Sequence, residues 1–189
     1  MKRLRQFVAS LKPTTQLLAD LRSMDTGQAL AALELLKERL CLQDGSLCGA
    51  GLQGVNLPQA TLALAQLRQA DLSASNLRET YFYDADLSES RLIQTDLSEA
   101  NLRAARLRGA NLQGASLRGA NLARADLRGA NLVEADLSAA NLWWTDLRGA
   151  DLQGAQLQGA NVAYLQGDAQ TRLPDGRWWV NAESWRAFV

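Results

Sequence analysis

Histidine is absent from this chain, which removes at once the commonest general base and the commonest metal ligand. Cysteine is scarce. Cys41 and Cys48 sit close enough to leave pairing open, but two thiols are too few for a disulfide framework or a zinc site. They fit a reducing compartment and a plain structural role. Neither sign of charge is in excess: 20 Lys and Arg balance 20 Asp and Glu across 189 residues. A nucleic-acid binder usually shows a basic surplus and a mimic of DNA an acidic one, so neither is expected. No run of about 18 apolar residues exists, so no transmembrane helix is expected. Lys2, Arg3 and Arg5 are not followed by a continuous apolar core or a small-residue cleavage site, so no signal peptide is expected either. The expected location is the cytoplasm. Nucleic acid and membrane are not expected as partners, and no cofactor is implied.

What is present is a repeat, the feature to seek before secondary structure. Leucine recurs every five residues from Leu42 through Leu157, with Phe82 as the one aromatic substitute, and the series ends at Val162. Two residues before nearly every leucine stands a small residue, and from Ala100 to Ala140 it is always alanine. A period of five fits neither an α-helix nor a flat strand. It fits a chain that turns a corner every five residues, so that four corners close a square coil of twenty. Leucine and the small residue then point inward. The interior is narrow, and overfilling it would cost about 1–3 kcal/mol per site. Each buried leucine contributes about 1.5–3 kcal/mol. Coils stacked at the spacing of neighbouring strands, about 4.8 Å, make residues 45–164 a rod of roughly 29 Å.

Glycine stands two places after the leucine at Gly109, Gly114, Gly119, Gly129, Gly149, Gly154 and Gly159, where a type II turn needs positive φ. Before residue 105 that position is mostly Gln, Glu, Ala or Asp. A change of turn type along the rod is therefore expected.

The repeat resembles that of the pentapeptide-repeat family, A-(N/D)-L-x-x. It stands here as Ala110-Asn111-Leu112, Ala120-Asn121-Leu122, Ala125-Asp126-Leu127, Ala130-Asn131-Leu132 and Ala150-Asp151-Leu152. The resemblance covers about two thirds of the chain. It implies an all-β solenoid, the right-handed quadrilateral β-helix, and no single function. Members of the family include DNA mimics that bind topoisomerases, developmental regulators and many cyanobacterial proteins without an assigned role. Thr171 to Gly176 resembles the tail that follows the repeats in some cyanobacterial members.

The organisation expected is an N-terminal helical segment over 1–41, the β-helix over 42–164 and a short C-terminal cap or dimerisation tail over 165–189. Asp25 or Thr26 is placed to cap a helix running to about Leu40, with Leu30, Leu33, Leu36 and Leu40 on one face. Thr14 or Thr15 is placed to cap a shorter helix carrying Leu17, Leu18 and Leu21, set off by Pro13. A solenoid needs its open end covered, so an N-terminal cap is the first reading and a docking helix the second. Lys2, Arg3, Phe7, Val8, Leu11 and Lys12 have the pattern of a basic amphipathic surface helix, but the segment is short. At the other end Leu173-Pro174-Asp175-Gly176 reads as a turn and Asn181 as the cap of a final helical turn. Trp178, Trp179, Val180, Trp185 and Phe188 make an apolar tail that caps the last coil or, by the resemblance to the gyrase-inhibiting branch, joins two copies into a homodimer.

Residues twenty apart share a column. One column holds Arg68, Ser88, Arg108, Arg128 and Arg148 beside Gln66, Asp86, Arg106, Asp126 and Asp146. A solvated ion-pair face is its plain reading, and a site for an acidic partner its functional one. Another face carries Tyr81, Tyr83, Trp143, Trp144 and Tyr164 outward, with Leu64, Ala104 and Ala123. These aromatics are candidate partner-binding residues, unless the terminal segments cover them. Asp71, Asp86, Asp96, Asp126, Asp136, Asp146 and Asp151 share one repeat position, which explains them without catalysis. Enzymes on β-helices use clefts built by inserted loops, and no insertion breaks 42–162. Stacked outward threonines of an ice-binding face are missing as well. The expected function is therefore a non-enzymatic interaction scaffold for an unidentified protein partner, with a DNA-mimicking, gyrase-binding protein as the alternative.

Overall fold

The computed structural model describes residues 12–38, 41–185 and 187–189. The repeat builds a β-helix with a corner every five residues and a register of twenty. Single-residue parallel bridges join Gly51 to Asp71, Asn56 to Asn76, and so on without a slip to Asp146 and Gln166. The rungs are too short to form extended strands, because the chain turns again after each one. From Leu52 to Leu152 the N–H of each inward leucine, and of Phe82, donates to the next coil or the closing segment, as Leu107 does to the Asp126 carbonyl at 2.8 Å. Both inward positions are buried as the five-residue period requires. Leu107, Ala110, Leu112 and Leu127 are fully buried, and Phe82 replaces a leucine with no exposure.

Most polar residues in the narrow interior are answered by the backbone, although the buried Ser90 hydroxyl has no partner among the described residues. Thr80, Thr95 and Thr145 stand at the small position, and each hydroxyl donates to a leucine carbonyl of the preceding coil, Leu57, Leu72 and Leu122 respectively. At these three positions a hydroxyl in place of a methyl is thus accommodated without an orphaned donor.

The turn does not change along the rod, contrary to the sequence expectation. Every fourth position of the repeat from Gly49 to Tyr164 has positive φ, with glycine or without it: Gln94 stands at 54°, Glu99 at 61°, Gly109 at 65°. A left-handed side-chain-bearing residue costs about 1–2 kcal/mol. From Gly49 to Gly154 the cost is met because each such N–H is held by the next coil or the closing segment, as Glu89 donates to the Arg108 carbonyl at 2.8 Å. Ladder geometry overrides local preference here.

Two helices close the N-terminal end, α1 (Thr14–Leu21) and α2 (Thr26–Glu38). Leu17, Leu21, Ala29, Ala32, Leu33 and Leu36 join the same core as the leucine columns. Asp25 caps α2, its Oδ1 accepting from the N–H groups of Gly27 at 2.8 Å and Gln28 at 3.3 Å. Neither Thr14 nor Thr15 caps α1. Pro13 holds that place, and its carbonyl accepts from Gln16 and Leu17. A proline there has its φ preset for a helix entry and lacks only a donor that the first turn leaves orphaned anyway. Buried Asp20 ties the helices together, accepting from Lys12 at 2.6 Å, Gln16 and Gln28. These bonds, Lys12 first, hold its carboxyl below the usual range. Leu40 and the basic segment before Lys12 lie outside the described residues.

The ladder carries on past residue 164. Gln166 pairs with Asp146, and Arg172 pairs with Asp151, one residue late. Thr171 takes the inward small position, donating to the Leu147 carbonyl as Thr145 does to Leu122. Asp168 fills the gap made by the extra residue. Its carboxylate accepts from the Gly149 N–H at 3.0 Å, where an earlier coil would offer a carbonyl. Burial opposes its charge, but the N–H groups of Gly149 and Gln170 outweigh that and keep its carboxyl below the usual range. The chain then reverses at the turn closed by the Gly176 N–H on Leu173, and Trp178 pairs antiparallel with Arg172. Asn181 does cap the closing 3-10 turn Ala182–Trp185, accepting from the Glu183 N–H.

Candidate interaction surface

The repeated geometry of the rung decides what each outward side chain does. The residue before each leucine is usually Asn or Asp because its Oδ1 accepts from the N–H two places on. All seven aspartates at that position make this bond: Asp71, Asp86, Asp96, Asp126, Asp136, Asp146 and Asp151. They hold corners. Asparagines there also bond from coil to coil, as Asn161 to Asn141 and Asn131 to Asn111. Among the described residues no group of three metal-ligating side chains comes together. Cys41 and Cys48 are not joined by a disulfide, the first being buried and the second exposed. No helix among the described residues is long and apolar enough to cross a membrane.

The aromatic face divides into two patches. Tyr81 and Tyr83 stack at 6.2 Å with nearly parallel rings. Three coils further on, Trp143, Trp144 and Tyr164 form a triad with ring centroids 5.6–6.3 Å apart. Arg103 and Ala123 occupy the column between the patches. The triad is braced by Arg124, whose guanidinium lies 5.0 Å from the Trp143 ring centre.

The terminal tail does not cover this triad. Trp179 packs on Trp185 at 4.9 Å and lies so close to Gly167 that a Cβ there would sit 2.6 Å from its ring. The tail therefore closes the end of the rod and leaves its side bare. Trp144 is 49% exposed and Tyr164 70% exposed. Both stand at the left-handed turn position, φ 57° and 59°, where bulky residues are uncommon. The sequence expectation placed all five aromatics on one side of the rod, which holds, but the pairing across coils needed the register.

Beside the triad the end of the ladder is open. The N–H groups of Leu157, Gly159, Val162 and Tyr164 have no acceptor among the described residues, because the tail follows the coil only as far as Pro174. Periodicity alone gives no signal for this; it depends on where the tail reverses.

The arginine column is paired in part. Asp126 grips Arg128 through two bonds of 2.8 and 2.6 Å, and Asp146 grips Arg148 at 2.9 and 2.6 Å. The Arg128 fork is the main reason the Asp126 carboxyl lies below the usual range, and the Arg128 guanidinium is shifted up in return. Arg68 reaches Glu89 in the next coil. Arg108 makes no ion pair with any described residue.

Among curated proteins none matches the chain. It is similar to solved structures of pentapeptide repeat proteins. Rfr23 from the cyanobacterium Cyanothece 51142 is 29% identical, over 76% of this chain and 99% of that one, with a TM-score of 0.46. A protein of the Arabidopsis thaliana thylakoid lumen is 26% identical, over 69% and 73%, with a TM-score of 0.39. The plasmid-mediated fluoroquinolone resistance protein QnrB1 is 17% identical, over 65% and 84%, with a TM-score of 0.33. The family model of pentapeptide repeats matches in eight copies, over 65–103, 105–143 and 134–162. Those segments span just over half of the chain and carry the same corner-forming rung described above, so this chain belongs to the pentapeptide-repeat family, whose fold is the right-handed β-helix solenoid.

Proposed function

We propose that this chain is a non-enzymatic interaction scaffold that holds a protein partner on the aromatic triad of Trp143, Trp144 and Tyr164. One observation carries the reading: two bulky rings occupy left-handed turn positions, largely exposed, on a rigid ladder that nothing else in the described chain covers. Left-handed φ is common to the turns of this rod, so what sets these two positions apart is the size and exposure of their rings. Aromatics on rigid elements lose little freedom on binding and recur at the centres of interfaces. Tyr81 and Tyr83 offer a second, smaller contact along the same side.

The test compares the wild-type chain with Trp144→Ser/Tyr164→Ser as immobilised baits in the native cell extract. The wild type is expected to enrich a set of proteins that the variant loses at least about tenfold, with an unchanged circular dichroism spectrum. Equal enrichment by both baits sinks the reading. Enrichment of the chain's own untagged copy would identify the partner as a homodimer mate, seated on the triad and the open edge at Leu157–Tyr164.

A DNA mimic needs a continuous acidic face. Here Asp126 and Asp146 are each neutralised by their own arginine. No inhibition of gyrase supercoiling is expected at micromolar protein, and potent inhibition in that assay would reverse the ranking of the two functions.

A further inference from the structure

We infer that the groove around Arg106 and Arg108 takes the carboxylates of a short acidic peptide segment from a partner protein. The site lies on the face next to the aromatic triad. It rests on the scaffold reading only for the class of partner, and it adds a second, chemically distinct contact.

A break in the repeat creates it. In the two coils that follow, the rung reads acid, leucine, arginine: Asp126-Leu127-Arg128 and Asp146-Leu147-Arg148. Each acid holds its own arginine through a hydrogen-bonded ion pair. In the coil between residues 101 and 120 the acid is replaced, and the rung reads Arg106-Leu107-Arg108. Two guanidinium groups therefore leave one rung with no carboxylate between them. Arg106 turns across the corner to Asp84 at 3.3 Å. Arg108 is left without an ion pair among the described residues. The preceding coil offers Ser88 at that place, a small side chain that leaves room above it.

The result is a groove of about 590 Å³ whose walls include Arg68, Arg106, Arg108 and Arg128, with Ser88 and Glu89. Four arginines face two acids, Glu89 and Asp126, so the lining carries two positive charges in excess. The column continues into a second groove of about 340 Å³ lined by Arg108, Arg128 and Arg148 with the one acid Asp168.

Guanidinium stays charged at any physiological pH, and its planar fork matches a carboxylate through two parallel bonds. An incoming carboxylate gives Arg108 the partner that its own rung lacks. The ladder holds both arginine backbones fixed, which lowers the entropy lost on binding. The walls set the size of the ligand. Glu89, Asp126 and Asp146 stand within the same face and repel a long uniform polyanion, and the chain as a whole carries no net charge to draw one in. A short run of carboxylates on a peptide fits; a long nucleic-acid backbone does not.

The probe is fluorescein-labelled hexaglutamate, followed by fluorescence anisotropy on the full chain. The wild type is expected to bind at low ionic strength and more weakly at physiological ionic strength, as exposed charges are screened. Arg106→Asp restores the rung of the neighbouring coils, so the fold should survive while the groove loses its excess charge; binding should fall by about tenfold or more. Arg108→Gln removes the unpaired guanidinium alone and should weaken binding in the same direction, which keeps the test open if Arg106→Asp misfolds. Arg118→Asp makes the same charge change on another face and should leave binding within about twofold. Trp144→Ser/Tyr164→Ser should leave it unchanged, so failure of the triad and failure of the groove are read separately. The inference is overturned if the wild type does not bind hexaglutamate, or if Arg118→Asp weakens it as much as Arg106→Asp. Tighter binding of a DNA duplex or of phosphatidylserine vesicles than of the peptide would overturn it too.

Discussion

Leu107→Ala is expected to destabilise the rod by about 2–5 kcal/mol in denaturant unfolding, as for a fully buried core leucine. Leu107 has no exposure and lies in the middle of the leucine columns, where coils stack on both sides. In a solenoid each unit contacts only its neighbours, so a cavity there weakens two coil interfaces at once. The partner experiment is Ala110→Leu. Ala110 faces the same narrow interior with no exposure, and added bulk should cost about 1–3 kcal/mol or more through strain. The two together test the shape of the interior, since one empties it and the other overfills it. A loss below about 1 kcal/mol for both would mean that the columns are not packed as described.

Trp185→Ala is expected to cost about 3–5 kcal/mol locally and to open the C-terminal end. Trp185 is buried and supports Trp179, which in turn lies over Gly167. The loss should appear as faster hydrogen exchange at Leu147, Leu152 and Gly154, whose N–H groups donate to Gln166, Arg172 and Pro174 in the closing segment. The amide of Leu107 should keep its protection, because two coils separate it from Leu147 and its own acceptor is Asp126 in the next coil. Gly167→Ala should reproduce the pattern by pushing the Trp179 ring away, with no aromatic removed. Uniform loss of protection along the whole rod, or none at Leu147 and Leu152, would contradict this account of the cap.

The interior was legible in the sequence because the repeat states it directly. A leucine and a small residue at fixed offsets leave one way to fold a five-residue period, and residues 42–162 carry it without interruption. The roles of Asp25 and Asn181 were legible for the same kind of reason, since a cap acts on N–H groups two or three residues away. The cap of the shorter helix was misassigned by one residue: Pro13 has no side-chain acceptor to advertise it, while its carbonyl does the work.

By itself the sequence determined the period, the inward residues and the absence of histidine chemistry, because those depend on residue type and spacing alone. Only the tertiary structure decided three other matters. The turn stays left-handed at Gln, Glu, Asp, Leu and Trp because ladder bonds from neighbouring coils outweigh the local preference for glycine. The ladder resumes one residue late at Arg172 because Asp168 can replace a missing backbone carbonyl. Trp144 and Tyr164 remain bare because the tail turns inward at Gly167, toward the end of the core, rather than along the side of the rod. Each of these is settled by contacts between residues about twenty apart or more, which no local pattern records.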